Sequence, residues 1–156
     1  MSQIKPPTII VVLVRGISFA SFNISVAFVI PSPAARPTVY VADDDFDVLS
    51  SLRFLLETDG FEVKAFGSGS AFLDAVTSDG AHCFVIDYKM PNMSGLDLAK
   101  RLRMRGIDTP IILITGYPDN DISRKAAAAG IHHVLLKPHL EDSLVAHVRG
   151  VIKANP

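Results

Sequence analysis

Charged and hydroxyl side chains directly follow short apolar runs at four places in the chain. Asp43 and Asp44 follow the first run, Asp87 the third, Thr115 the fourth and Lys137 the fifth. If these runs are parallel strands of one open sheet, their carboxyl ends lie along a single edge, where such sheets bind ligands. We therefore expect three carboxylates, a hydroxyl and an ammonium to meet in one crevice.

Such a group of side chains indicates a particular chemistry. Three neighbouring carboxylates repel one another and require a cation, and carboxylate oxygens at this density suit Mg²⁺. A carboxylate beside the metal can attack phosphorus and form an aspartyl-phosphate. A lysine and a hydroxyl would then stabilise the charge on the phosphoryl oxygens. The sequence therefore predicts phosphoryl transfer to a carboxylate.

Each of these residues alone also has an ordinary structural interpretation. Asp43, Asp44 and the adjacent Asp45 could cap a helix, as acids often do. Asp87 could be a loop acid, and the threonine and lysine could be solvated strand-end residues. The joint occurrence at the ends of predicted parallel strands favours a site over these separate explanations.

The elements that must position this site follow from the apolar pattern. Apolar runs predict strands at 39–42, 61–66, 83–86, 111–114 and 134–136. Helical spacing predicts five helices. The first carries Val48, Leu52, Leu55 and Leu56 and ends at Gly60, the second carries Phe72, Ala75 and Val76 and ends at Gly80, and the third lies at 96–105. The fourth carries Ile122 and Ala126 and ends at Gly130, and the fifth carries Leu140, Leu144, Val148 and Ile152, with Glu141 and Asp142 in its first turn. Strict alternation predicts an α/β fold, a doubly wound parallel sheet with helices on both faces.

Composition limits the function further. The chain has 156 residues, 49% of them apolar, and a formal net charge of −1. No basic patch is visible, so direct nucleic-acid binding has no electrostatic support. The single cysteine, Cys83, can form neither an internal disulfide nor a cysteine zinc site. These features are compatible with a cytoplasmic protein.

The amino-terminal part differs from the rest. Residues 8–30 are almost all apolar, and prolines at 31, 33 and 37 indicate a linker. We expect an extension over 1–37 and a folded domain over 38–153. The apolar stretch is long enough to cross a bilayer, but Arg15 near its middle would cost roughly 2.5–3.5 kcal/mol. A disordered or wrongly assigned extension, a membrane anchor and an extra packed element remain open.

Four motifs occur in order: VYVADDD at 39–45, VIDYKMPNMSG at 85–95, IILITG at 111–116 and LLKP at 135–138. On these motifs the chain resembles the response regulator receiver family of two-component systems, over 38–153. The motifs are most similar to those of nitrogen-fixation and nodulation regulators. The resemblance implies a flavodoxin-like sheet of five parallel strands in the order 2-1-3-4-5.

The resemblance also implies a set of metal and phosphate ligands. Asp87 matches the phosphoacceptor, Asp44 a direct Mg²⁺ ligand, and Asp43 an acid that acts on the metal through water. The backbone carbonyl of Lys89 matches the third protein ligand. Asp45 matches no metal ligand, so we expect it to cap a helix or to support the site indirectly.

Three further positions match characteristic residues of the family, and two positions depart from its pattern. Thr115 matches a hydroxyl that moves onto the phosphate, Lys137 a lysine that pairs with it, and Pro138 a proline that usually follows a cis peptide bond. Val134 stands where the family usually has an aromatic residue, and His139 stands where an aromatic residue often follows. We expect phosphorylation to persist and the conformational response to be weaker or to take another route.

The resemblance implies a stand-alone receiver rather than a turnover enzyme. It would accept phosphate from a sensor histidine kinase or a histidine phosphotransfer protein, docked by the first helix, and act on a separate protein target. Few residues follow Ile152, so we expect no fused DNA-binding domain. Lys89 and Tyr117 would flank an attacking water, which predicts slow self-dephosphorylation. None of the histidines at 82, 132, 133, 139 and 147 is expected to donate phosphate or, as the adjacent pair at 132–133, to chelate metal.

Two alternatives remain. One is a receiver-fold binding module that works without phosphorylation, which Val134 would allow. The other is a small-molecule phosphatase resembling the haloacid dehalogenase class, whose nucleophile lies on the first strand in an Asp-x-Asp-x-Thr or Val pattern. Asp43 and Asp45 have that spacing, but Asp47 replaces the expected threonine or valine.

Overall fold

A computed structural model describes residues 9–12, 28–31, 35–117, 120–137 and 141–155. The chain divides into two compact units, residues 1–35 and 36–156. In the first unit, β1 (Ile9–Val12) and β2 (Phe28–Pro31) form an antiparallel pair.

The predicted extension falls mainly outside the described residues. Of the apolar stretch 8–30, the structure describes only 9–12 and 28–30. Among the described helices, none has the length and apolar character needed to cross a membrane.

The second unit alternates strands and helices, as predicted. Its elements are β3 (Thr38–Ala42), α1 (Phe46–Thr58), β4 (Glu62–Phe66), α2 (Gly69–Ala75), β5 (Cys83–Asp87), α3 (Gly95–Met104), β6 (Ile111–Thr115), α4 (Ile122–Ala128), β7 (His133–Leu136) and α5 (Glu141–Ala154). The strands pair in parallel in the order β4-β3-β5-β6-β7. Counted from the first strand of this unit, the order is 2-1-3-4-5, which confirms the flavodoxin-like, doubly wound fold.

The core consists of two apolar layers, one on each face of the sheet. Alternate residues of a strand point to opposite faces, so Val39 and Val41 join one cluster while Tyr40 and Ala42 join the other. Residues of α1 and α5 complete the first cluster, and residues of α2, α3 and α4 complete the second. Helices therefore cover both faces, as the alternating pattern predicted.

The central strand β5 and its neighbour β6 are the most buried strands of the sheet. Every residue of β5 and of β6 is buried. Asp87 is the last residue of β5 and Thr115 is the last residue of β6. The backbone that positions these two polar side chains is thus fixed by packing on both faces.

Local capping explains why α1 begins beside the acidic run. Asp45 is the N-cap of α1, and its carboxylate accepts hydrogen bonds from the N–H groups of Asp47 (2.9 Å) and Val48 (3.3 Å). This arrangement confirms the capping interpretation of Asp45. At the other end, Gly60 has a φ of 95°, a left-handed conformation that favours glycine after a helix.

The predicted end of the second helix is wrong. Helix α2 ends at Ala75 rather than at Gly80, and Val76 is already extended with φ −76° and ψ 133°. Val76 packs against the core from this extended position, and the chain then turns, with the N–H of Gly80 bonded to the carbonyl of Thr77 at 3.2 Å. The prediction that Leu140 belongs to the last helix lies outside the described residues, as do those for Pro138 and His139.

Candidate functional site

The strand register brings the predicted site residues to one edge of the sheet. Ala42 pairs with Ile86, so Asp43 and Asp87, the next residue on each strand, lie side by side. Thr115 pairs with Leu136, which places Lys137 one residue further along the neighbouring strand.

The three acids form a compact cluster. One carboxylate oxygen from each of Asp43, Asp44 and Asp87 lies within 4.8 Å of the others. Asp43 and Asp87 are buried, whereas Asp44 is exposed. Two acids therefore form the floor of the cluster, and the third faces solvent.

Lys137 joins the two buried acids. Its Nζ lies 3.0 Å from Oδ2 of Asp43 and 2.8 Å from Oδ1 of Asp87. The lysine side chain is 26% exposed, so it reaches the acids from the rim of the crevice. One ammonium thus offsets part of the charge of three carboxylates.

Backbone N–H groups hold the remaining oxygens of the buried acids. The N–H of Asp45 donates to Oδ1 of Asp43 at 2.9 Å, and that of Lys89 donates to Oδ2 of Asp87 at 2.9 Å. Both oxygens of each buried carboxylate are therefore hydrogen-bonded, which fixes their orientation. The Lys89 carbonyl remains a predicted metal ligand.

Burial and charge shift the ionisation of this group. Burial raises the pKa of Asp87 above its ordinary value, hydrogen bonding to Lys137 opposes the rise, and the charge of Asp43 adds to it. For Lys137, burial alone would lower the pKa, but the hydrogen bonds to Asp87 and Asp43 outweigh burial and raise it. Burial thus makes the charged form of Asp87 costly, and its contact with Lys137 offsets part of that cost.

The structure does not place the Thr115 hydroxyl on Asp87. Thr115 is buried, and its Oγ1 accepts a hydrogen bond from the N–H of Tyr117 (3.1 Å) and donates one to the carbonyl of Tyr117 (3.2 Å). Lys89 likewise faces Tyr117, with its Nζ 4.7 Å from the ring centroid. Sequence reasoning placed Tyr117 near the site but missed both contacts.

The sequence profile of the response regulator receiver domain matches residues 39–149, the part of the chain that carries this cluster. The chain belongs to the response regulator receiver family.

Two curated relatives and a solved structure resemble this receiver. Response regulator protein TodT of Pseudomonas putida is 37% identical over 118 residues, which are 76% of this chain and 52% of TodT. Transcriptional regulatory protein FixJ of Bradyrhizobium diazoefficiens is 36% identical over 115 residues, 74% of this chain and 56% of FixJ. The receiver domain of Francisella response regulator 1452 superimposes with a TM-score of 0.74 at 27% identity, covering 78% of this chain and all of that domain. The chain spans about half the length of the curated relatives it matches.

The acid cluster of this receiver fits a hard divalent cation. Its donors are all carboxylate oxygens, the ligand type that Mg²⁺ prefers. The exposed side chain of Asp44 leaves the cluster accessible from solvent, and the cluster carries more negative charge than Lys137 offsets.

Gly95 is a residue of this receiver site that sequence reasoning missed. Its N–H donates to the carbonyl of Tyr88 at 2.8 Å. A Cβ at this position would collide with the backbone carbonyl of Asp87 and would lie 2.7 Å from Cδ1 of Leu113. The sequence offered little signal for this role, because the helix was predicted to begin at residue 96, one position after Gly95.

Two histidines lie at the amino ends of the strands, at the edge of the sheet opposite the acid cluster. Nδ1 of His82 accepts from the N–H of Thr38 (3.0 Å), and Nδ1 of His132 accepts from the N–H of Ile111 (3.3 Å). The backbone N–H of each histidine donates to the carbonyl of the same partner, at 2.8 Å and 2.9 Å. Each ring therefore adds one hydrogen bond beyond the start of a strand.

The adjacent histidines have separate contacts. The His132 ring bonds Ile111, whereas the His133 ring packs against His147 with centroids 4.8 Å apart. The two rings thus contact different neighbours, and the expectation that they do not chelate a metal stays a prediction. His139 lies outside the described residues.

Proposed function

We propose that this receiver accepts a phosphoryl group on Asp87 in a Mg²⁺-dependent reaction. The donor would be a phosphohistidine on a sensor histidine kinase or on a histidine phosphotransfer protein. The observation that carries the proposal is the contact of Asp87 with Lys137 inside a cluster of three carboxylates. Such a cluster is costly to the fold unless it serves a bound cation and an incoming anion.

The transfer balances without a further reactant. A carboxylate oxygen of Asp87 attacks phosphorus, and a P–O bond forms as the P–N bond of the phosphohistidine breaks. The imidazole nitrogen keeps the electron pair of the broken bond. Return to the starting state requires water to attack the aspartyl-phosphate, which releases inorganic phosphate.

Asp43, Asp44, Asp87 and the carbonyl of Lys89 would hold the Mg²⁺. When bound, the ion neutralises the acids and the charge that develops on the phosphoryl oxygens. Asp43 has a second task, because its Oδ2 positions the ammonium of Lys137 beside Asp87.

Lys137 and Thr115 would stabilise the phosphoryl group. Lys137 already lies 2.8 Å from Oδ1 of Asp87, so a small movement takes its ammonium to a phosphoryl oxygen. Thr115 must first release its bond to the carbonyl of Tyr117, which makes it a residue that responds to phosphorylation.

The first helix offers a surface for the phosphodonor. Phe46 and Phe54 of α1 are 78% and 73% exposed, and Phe46 directly follows the acidic run. Exposed aromatic side chains at this density favour a protein partner that packs beside the site. Because a phosphodonor kinase would use ATP, the receiver would act in the cytoplasm.

The receiver domain would cover residues 38–153, after an extension and proline-containing linker at 1–37. The profile match to residues 39–149 supports these bounds. Three expectations stay predictions. The chain would act as a stand-alone receiver, its target would be a separate downstream protein, and residues 8–30 would be a possible membrane anchor.

Phosphorylation of the purified chain by acetyl phosphate tests the proposal. Intact mass spectrometry should show one added phosphoryl group with Mg²⁺ and none after chelation of the metal. Asp87→Asn should abolish the adduct, and Asp74→Asn, the same change at an exposed position of α2, should retain it. Equal adduct in Asp87→Asn and Asp74→Asn would refute the proposal.

The same variants separate the receiver from its alternatives. A phosphatase would hydrolyse p-nitrophenyl phosphate repeatedly, and this turnover would survive Asp87→Asn. A phosphorylation-independent module would show no Mg²⁺-dependent adduct in any variant. The proposal requires an adduct without sustained turnover.

A further inference from the structure

Tyr117 is held in place by two residues that border the candidate phosphorylation site. Its backbone N–H and carbonyl both bond the hydroxyl of Thr115, at 3.1 Å and 3.2 Å. Its ring, on a side chain that is 58% exposed, lies under the ammonium of Lys89 at 4.7 Å. The position of Tyr117 therefore depends on both neighbours.

The hydroxyl of Thr115 cannot serve two acceptors at once. A threonine hydroxyl has a single hydrogen to donate, and here it goes to the carbonyl of Tyr117. Donation to a phosphoryl oxygen on Asp87 would break this bond. Donation from Thr115 to a phosphoryl oxygen and its bond to the Tyr117 carbonyl are thus mutually exclusive.

Lys89 faces a similar choice. Its backbone N–H is bonded to Oδ2 of Asp87, so its side chain starts beside the phosphorylation site. A phosphoryl group carries about two negative charges and three strong acceptor oxygens. An exposed cation–π contact is weaker than a charge-assisted hydrogen bond to such a group. The ammonium would therefore leave the Tyr117 ring for the phosphoryl oxygens.

Val134 does not offer an aromatic ring as a second responding group. It lies on β7, is half-buried and packs against the core cluster that includes Ile122. Its side chain has no polar atom and no ring face to exchange. Tyr117, unlike Val134, has a backbone contact and a ring contact that both depend on whether Asp87 is phosphorylated.

We propose that Tyr117 reports phosphorylation in this chain, because a phosphoryl group on Asp87 withdraws both Thr115 and Lys89 from it. This inference rests on the proposed function. Tyr117 lies two residues after the end of β6 (Ile111–Thr115), so its displacement would change the surface at that strand end.

Fluorine NMR of the full chain labelled with 3-fluorotyrosine tests the inference. The chain has three tyrosines, and single Tyr→Phe variants assign their resonances. Tyr88 follows Asp87 directly and reports local occupancy, whereas Tyr40 is 2% exposed in the core and serves as the unmoved reference. Phosphorylation by acetyl phosphate and Mg²⁺ should shift the Tyr117 resonance along with that of Tyr88.

Two substitutions at Thr115 and two at Lys89 provide matched controls. Thr115→Val removes both hydrogen bonds to the Tyr117 backbone, and Lys89→Met removes the ring contact. Each should shift the Tyr117 resonance without phosphate and reduce the further shift on phosphorylation. Thr115→Ser keeps the hydroxyl and Lys89→Arg keeps the cation, so both should respond as the parent chain does.

The outcomes separate this inference from the proposed function. If intact mass shows the adduct and Tyr88 shifts while Tyr117 stays, the inference is wrong and the proposed function stands. An equal Tyr117 shift in the parent, Thr115→Val and Lys89→Met chains would also overturn it. If no adduct forms on the parent chain, the proposed function fails and the inference falls with it.

Discussion

The Nζ of Lys137 lies 3.0 Å from Oδ2 of Asp43, although 94 positions separate the two residues in the sequence. The same ammonium lies 2.8 Å from Asp87, so one cation is shared by two buried acids. With Asp44 beside them, the cluster keeps an excess of negative charge. This excess is the physical reason to expect a divalent cation at the site.

Mg²⁺ should stabilise the fold through this cluster. A ligand that binds only the folded state at a hundred times its dissociation constant adds about 2.7 kcal/mol to the free energy of unfolding. Thermal unfolding at increasing Mg²⁺ and constant ionic strength should show a rising midpoint. Asp44→Asn changes an exposed ligand, so it should fold normally and lose most of the effect. An equal rise in Asp44→Asn and the parent would contradict the assignment.

Gly95→Ala should displace the backbone of Asp87. The added Cβ collides with the Asp87 carbonyl, and the shift needed should cost about 1–3 kcal/mol of stability. It should also slow phosphorylation by acetyl phosphate. Gly150→Ala in α5, where the new Cβ would meet no atom within 4 Å apart from the local helix backbone, should instead gain roughly 0.5–1 kcal/mol. Urea unfolding of both variants measures the difference, and equal stabilities would refute the close approach.

His132 should make stability depend on pH. Burial lowers its pKa from 6.5, and the charges of Arg103 and His133 lower it further. Because the folded pKa is below the unfolded one, the contribution is complete above pH 6.5 and is lost as pH falls through the folded pKa.

Urea midpoints of the parent chain and His132→Asn measure this effect. The asparagine keeps a hydrogen-bond acceptor and does not titrate, so its midpoint should fall less on acidification. Parallel midpoints over the range below pH 6.5 would show that His132 does not contribute.

Lys89 and Tyr117 should lengthen the life of the aspartyl-phosphate. Lys89 follows Asp87 by two residues and Tyr117 follows Thr115 by two, so two bulky side chains border the crevice and hinder an attacking water. The Lys89→Ala, Tyr117→Ala double variant should therefore lose the phosphoryl group faster after the donor is removed. Leu136→Ala, at another exposed apolar residue, should keep the parent half-life. An unchanged half-life in the double variant would contradict the role.

Much of the fold could be predicted because apolar runs and polar strand ends coincide in the sequence. The strands that end at Asp87 and Thr115 are buried throughout, so their residues read as continuous apolar runs. Parallel topology then places their last residues at one edge. The approximate location of the acids, Thr115 and Lys137 follows from that rule alone.

Contacts that depend on backbone geometry could not be predicted. Val76 leaves the helix because its side chain packs from an extended backbone, which the helical spacing of apolar residues does not reveal. Gly95 matters because of a carbonyl that lies behind it, and the Thr115 hydroxyl bonds Tyr117 because the chain turns there. Such contacts depend on the three-dimensional course of the backbone, which the residue types alone do not determine.

The position of the phosphoryl group tests the central claim most directly. The chain phosphorylated in Mg²⁺ is reduced with borohydride, which converts an aspartyl-phosphate to homoserine, and its peptides are sequenced by mass spectrometry. Homoserine at position 87, dependent on Mg²⁺, is the predicted result. Homoserine at 43 or 44, or a phosphoryl group on a hydroxyl side chain, would contradict the claim.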